Sequence, residues 1–371
     1  MFMNQQKGFS LVELMVGLVI GLLAIFATYR VYESTEANQR ALSALSDTQI
    51  SGLFSIYTLN QEITNAGAIL LANRALLNGC TTPNTFPPGG VPIAIGTPTA
   101  LPLFPLPVAI IPEDDDPANP DRLFDEVHVF YGIESRTDRP IQGTLAAPNL
   151  VVGSAMGIDQ GSVLLTDAGN CRVFSVATAT PAVDPNILLT LAAGSDLGGL
   201  PGSINLLNMG QVVRRSFYVD ANNTLQMRRW VVNDTAGGLR WVVDRIDPIA
   251  SNVRFFRAQY GVDINGDRSV DVWRNAGDGA NEISVANIIN GATDVETIRA
   301  IRVGLVFKSD EPDKSLGSEP AFQPVFFNDC PGTSCGDAPI TPLAFPVADP
   351  SGVYGWRHRK YETIIPIKNT W

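Results

Sequence analysis

Apolar residues fall in three rhythms along the chain. From Phe9 to Tyr29 they are nearly continuous, and no charge occurs between Leu14 and Ala27. Such a run predicts a helix about long enough to cross a hydrocarbon layer of roughly 30 Å. From residue 30 to residue 67 the pattern loosens. Polar Glu33 to Arg40 come first, and then Leu42, Leu45, Leu53, Ile56, Tyr57 and Ile63 approximate one stripe at helical spacing. Residues 30 to 66 contain no proline and only Gly52 as glycine, so one helix is expected to continue until Asn65-Ala66-Gly67 caps it. Its first half, 9–29, suits an apolar surrounding; its second half, 30–67, suits lying on a sheet.

Beyond Asp125 the rhythm shortens to the alternation of strands. Strands are expected over Glu126 to Tyr131, Ser162 to Thr166, Arg172 to Ala177, Val212 to Val219, Thr224 to Val232, Leu239 to Asp244, Val253 to Val262, Arg299 to Lys308 and Tyr361 to Ile367. Asp220-Ala221-Asn222-Asn223 and Gly237-Gly238 read as hairpin connections. Residues 78 to 122 interrupt the pattern with prolines, glycines and an acidic turn, Glu113 to Asp116. They read as a loop, with short strands at Val91 to Ile95 and Val108 to Ile111. The fold class is α+β: a long N-terminal apolar helix packed on a large antiparallel β-rich body, residues 68–371.

Charge and chemistry narrow this further. The 371 residues carry 26 Lys and Arg against 37 Asp and Glu, a net charge of -11, and no extended basic patch of the kind nucleic acid needs. Arg214-Arg215, Arg228-Arg229 and Arg357 to Lys360 are short clusters, read as solvated faces or partners of carboxylates. Four cysteines form an even set. The Pro-Gly turn in Cys330-Pro-Gly-Thr-Ser-Cys335 favours a Cys330 to Cys335 disulfide and, by elimination, Cys80 to Cys171. With no CxxC pair and only His128 and His358 present, zinc lacks a ligand set. No GxSxG, Walker, GxGxxG or HExxH motif occurs. Trp230, Trp241, Trp273 and Trp356 read as core or sheet-face residues rather than sugar platforms.

One loop departs from ordinary turn chemistry. Asp263-Ile264-Asn265-Gly266-Asp267-Arg268-Ser269-Val270-Asp271 sets oxygen side chains at every second position. Calcium takes six to eight oxygens, and a wrapping loop presents residues 1, 3, 5, a carbonyl at 7 and residue 9. That scheme assigns side-chain ligation to Asp263, Asn265, Asp267 and Asp271, with the carbonyl of Ser269. The twelfth position is Arg274 and the glycine stands fourth, both unlike an EF-hand, so the affinity expected is weak. The alternative is an acidic hairpin turn in which Asn-Gly supplies positive φ.

The N-terminus carries the most specific pattern. A Gly8-Phe9 step precedes the apolar run, a lone carboxylate, Glu13, sits inside it, and no small-x-small cleavage site follows. This resembles the class III signal of type IV prepilins and of type II secretion pseudopilins. Within the body, Gly161 to Asp167 with Cys171 and Val173-Phe174, Tyr260 to Asp263, Ala300 to Leu305 and Arg359 to Thr363 resemble the PilW-like minor pilins. The resemblance implies that residues 1–8 are a leader removed by a prepilin peptidase between Gly8 and Phe9, and that Phe9 is then N-methylated. It implies that Glu13 of one subunit meets the new ammonium of another, since an ionised group among lipid or apolar helices costs roughly 2.5 kcal/mol or more without a partner. The chain is then expected in the inner membrane with its N-terminus cytoplasmic and its body periplasmic, and afterwards in the pilus. It would be a non-enzymatic subunit that helps initiate assembly and twitching motility as part of a tip complex. Other minor pilins, the major pilin and a tip adhesin are its implied partners. The rival readings are a J-type pseudopilin and a signal-anchored periplasmic module that binds or hydrolyses carbohydrate.

Overall fold

The computed structural model describes residues 10–69, 107–112, 123–133, 140–146, 148–154, 156–166, 172–181, 186–192, 197–235, 238–277, 282–284, 288, 295–310 and 356–367. Val91 to Ile95, all four cysteines, Gly8 and Phe9 lie outside these residues.

Helix α1 runs unbroken over Leu11–Thr64, about 80 Å at 1.5 Å per residue. Asn65 caps it, and Gly67 turns the chain out with φ +72°. The Gly67 N–H then bonds the Phe130 carbonyl at 2.9 Å, so the helix end is tied directly into a strand.

The body is built from β1 (Val108–Pro112), β2 (Leu123–Ile133), β3 (Ile141–Ala146), β4 (Asn149–Val152), β5 (Val163–Thr166), β6 (Arg172–Pro181), β7 (Ile187–Leu191), β8 (Ser203–Val219), β9 (Leu225–Thr235), β10 (Gly238–Ala250), β11 (Val253–Val262), β12 (Val272–Ala276), β13 (Glu282–Ile283), β14 (Ile298–Lys308) and β15 (His358–Pro366). Pairing is antiparallel except at β2 with β11 and β12 with β13. One path runs β10-β9-β8-β2-β11-β14-β15, and α1 rests on β15, β14 and β10. Leu59 and Ile63 of the helix, with Ala66 just past its cap, enter the core of this layer beside Val127, Phe217, Phe256 and Leu305.

A second unit is only partly marked in the sequence pattern, which gives its strands at Ser162 to Thr166 and Arg172 to Ala177 but not β3, β4, β7 or the first half of β8. The first half of β8 pairs β3, the ring continues through β4, β7, β6 and β5, and β5 returns to β8. This closed antiparallel barrel holds its own core, including Leu150, Leu164, Phe174, Leu189 and Leu206. Strand β8 serves both units, and Gly210, with φ +62°, marks the irregularity where its pairing to β2 and β5 shifts.

The expected helical stripe is corrected. Leu42, Leu53 and Tyr57 are exposed, Leu45 and Ile56 are half-buried, and only Ile63 of the six is fully covered. The buried row is Ala44, Thr48, Gly52, Ser55, Leu59, Ile63 and Ala66. The reason is close approach. A Cβ on Gly52 would lie 2.2 Å from the Tyr361 ring, and the Tyr361 hydroxyl reaches the Thr48 carbonyl at 3.4 Å. Small residues let α1 meet β15, which leaves the larger side chains outside.

Candidate functional site

The functional element is α1, whose two halves have different surroundings. Its first half meets none of the described body. Leu11, Leu14, Leu18, Leu22, Ile25 and Phe26 are each more than half exposed. At Gly17 and Gly21 nothing lies within 4 Å of the position a Cβ would take, so this face offers room for another backbone to approach. Glu13 sits in the first turn, favoured there by the helix dipole, and has no partner among the described residues. An apolar rod of this length, bare in the single chain, needs lipid or other helices around it.

The second half is locked to the body by a polar clamp as well as by apolar contact. Arg215 Nε on β8 lies 2.9 Å from Glu62 Oε2, and the Tyr131 hydroxyl on β2 donates to the same oxygen at 2.8 Å. Burial, then the nearby Glu62 charge, pushes the Tyr131 hydroxyl up to about 12. Of the two readings of Arg215, solvated cation or carboxylate partner, the second holds. Its partner lies 153 positions earlier (215 − 62), so only the tertiary fold brings the two together.

Arg214, the neighbouring residue, points to the opposite face. There His128 accepts at Nδ1 from Arg214 Nη2 at 3.2 Å, and His128 Nε2 lies 3.2 Å from Glu126 Oε1. Arg228 Nη1 donates to that Glu126 oxygen at 2.7 Å and its guanidinium lies over the Tyr218 ring. Burial lowers the His128 pKa and brings Arg214 down to about 9. The group is a polar cluster between strands whose members face one another. Trp230, Trp241 and Trp273 are buried, so none of these rings forms a sugar platform.

Loop 263–271 joins β11 to β12, whose last and first residues, Val262 and Val272, pair. Asp263 is buried. Its carboxylate accepts from the Gly266 and Arg268 amides and from Arg299 at 3.0 Å. Burial opposes ionisation, but these donors hold its carboxyl below the ordinary range. Asn265, Asp267, Ser269 and Asp271 are exposed. The Asn265 amide donates to Asp267 at 3.2 Å and to Asp271 at 3.0 Å, so an N–H pair lies between two carboxylates. Gly266 has positive φ, as the turn reading expects of the Asn-Gly step, and so does Arg268, which that reading does not mark. Among the described residues, no group of three His, Cys, Asp or Glu side chains is gathered as metal ligands would be.

Comparison with known proteins bears on both ends of the chain. Residues 3–29 match the prokaryotic N-terminal methylation motif, and residues 216–369 match the family described as type IV pilus-assembly protein W. The second match runs from within β8 to beyond β15 and so contains the strands on which α1 docks. No curated protein matches the chain. Among solved structures, a type IV-like pilin from Thermus thermophilus is 15% identical, over 57% of this chain and 86% of that one, with a TM-score of 0.25. At that score the structural likeness carries no weight, and the assignment rests on the two sequence families. A methylation motif that leads into a bare apolar helix, and a region similar to the PilW family that holds that helix's dock, together support a type IV minor pilin, anchored in the inner membrane and then incorporated into a pilus.

Proposed function

We propose that this minor pilin helps to initiate pilus assembly and forms part of the tip complex, acting by shape and charge rather than by catalysis. The observation that carries the reading is the division of α1: one half clamped by Glu62 to Arg215 and Tyr131, the other wholly uncovered. A rigid rod joined to a body in this way transmits the body's position to whatever surrounds the rod. The partners are the prepilin peptidase, other minor pilins, the major pilin and a tip adhesin. Cleavage between Gly8 and Phe9 with methylation of Phe9 would leave an ammonium one helical turn from Glu13, and Glu13 of a neighbouring subunit would neutralise it.

The test is mass spectrometry of the mature N-terminus, expected to begin with methylated phenylalanine, together with gene disruption. Loss of pili and twitching with secretion intact supports the proposal. Loss of secretion with pili intact would move the chain to the type II system, and a protein still bearing residues 1–8 would overturn both.

For loop 263–271 the proposal is narrower. Asn265, Asp267 and Asp271, exposed and bound only to one another and to loop groups, would turn toward a weakly held calcium ion with the Ser269 carbonyl. Asp263 would add an oxygen only by giving up bonds to Arg299 and the loop amides.

A further inference from the structure

Three arginines stand abreast on one face of the body. Arg215 on β8 is directly opposite Arg229 on β9, and Arg229 is directly opposite Arg245 on β10. Like charges at directly opposed positions repel, and such a row is unfavourable unless something offsets it. The two outer members have carboxylates: Arg215 has Glu62 of α1 at 2.9 Å, and Arg245 has Asp247 on its own strand. Arg229, in the middle, is exposed and has no carboxylate within ion-pair distance among the described residues. The rows on either side are partly apolar, with Val231 and Val242 on one flank and Met227 beside Asp247 on the other. Val231 is itself exposed.

We propose that the Arg229 and Arg245 face is a docking surface for an acidic segment of a neighbouring pilin subunit, with a carboxylate seated between the two guanidinium groups. The planar fork of an arginine pairs with a carboxylate through two parallel hydrogen bonds, and two such forks on one sheet face fix its position. A lipid phosphate does not fit the location. The row is tied to Glu62, 33 residues of helix beyond Tyr29, which is about 50 Å along the axis and several screening lengths from an anchoring bilayer. Nucleic acid is disfavoured by the net charge of -11. A subunit anchored beside this one in the same membrane presents its body at the same height. This inference rests on the minor-pilin reading and adds a contact surface to it.

The experiment places a photo-crosslinking amino acid at Val231 in the full-length chain and irradiates cells bearing assembled pili. In otherwise wild-type chain, a crosslink to an acidic peptide of another pilin subunit is expected, identified by mass spectrometry. Arg229→Glu should reduce its yield at least tenfold, and Arg229→Lys should retain part of it. Arg229 is a surface residue, so thermal unfolding of the detergent-solubilised variant should match wild type, which separates docking from folding. Equal crosslinking in wild type and Arg229→Glu overturns the surface, as does a crosslink to nucleic acid or to no subunit. Failure of the wild-type chain to enter pili at all would instead overturn the minor-pilin reading, and the sheared-pilus fraction reports that separately.

Discussion

The two halves of α1 share one backbone, without a break from Leu11 to Thr64, yet their glycines have opposite surroundings. Gly17 and Gly21 face open space, whereas Gly52 has the Tyr361 ring where its Cβ would be. The first half leaves its apolar surface for other molecules, and the second half uses its small residues for contact with its own body. A long pilin helix can thus be read as two elements, and each half can be damaged without the other.

The largest expected effect isolates the first half. Glu13→Ala should lower the amount of subunit in sheared pili at least tenfold while leaving it in the membrane fraction, with unfolding of the body unchanged. Immunoblots of the two fractions and thermal melts in detergent measure both. Normal incorporation would mean that Glu13 has no role in bringing subunits together.

The converse variant, Gly52→Val, should destabilise the body by about 2 to 3 kcal/mol, the range of overpacking in a close contact. Tyr361 has little freedom to retreat, because its ring packs edge-on against Phe307 with centroids 5.7 Å apart. Gly17→Val should leave the same denaturation curve in place. If both variants unfold alike, the distinction between the halves fails.

Much of this distinction is legible in the sequence, and the part that is not has a specific cause. The uncharged run to Ala27 and the unbroken helix up to its cap at Asn65 follow from hydropathy and the absence of proline. Val253–Val262 is bounded correctly at both ends because alternating apolar residues and adjoining turn residues agree there. The docking stripe departs from the leucine pattern because close packing on Tyr361 selects Gly52, Ser55, Thr48 and Ala44, which hydropathy does not mark. The barrel is illegible because β3, β4 and β7 are only four to six residues long and mix Gly, Thr and Asn with their apolar residues. Its closure depends on β8 serving two units, which no local pattern records. The clamp of Glu62 on Arg215 is invisible for the same reason.

Acid should weaken the body without touching the first half of the helix. Burial, aided by the Arg254 and Lys308 charges, lowers His358 from its ordinary value to about 4, although the Trp356 backbone pulls the other way. Burial lowers His128 too, with Arg214 and Arg228 adding to it and Glu126 opposing. Both groups bind a proton more readily once unfolded, so stability is full above about pH 6.5 and falls as pH drops toward 4. Between pH 7.5 and 5.0 the loss assigned to His358 is about 1 to 2 kcal/mol, after allowing for its partial exposure. Chemical denaturation at the two pH values should show this loss, and His358→Gln should shrink it. An equal loss in the variant would place the acid sensitivity elsewhere.

The smallest effect concerns loop 263–271, far along the body from either half of the helix in sequence. If calcium binds there with an affinity in the range of extracellular modules, roughly 10⁻⁴ to 10⁻³ M, then about 2 mM calcium adds on the order of 1 kcal/mol by mass action. For a body of this size that is a rise of about 2 °C in Tm. Asp271→Asn should abolish the rise, because Asp271 contributes one of the two carboxylates that the Asn265 amide now bridges. The same variant without calcium should lose little, since Asp271 is exposed and its remaining bonds are to loop amides. Melts that coincide in calcium and in chelator, with no heat on titration, would show that N–H donors and Arg299 already supply all the positive charge the loop requires. In that case the alternating oxygens serve only to shape the hairpin between β11 and β12.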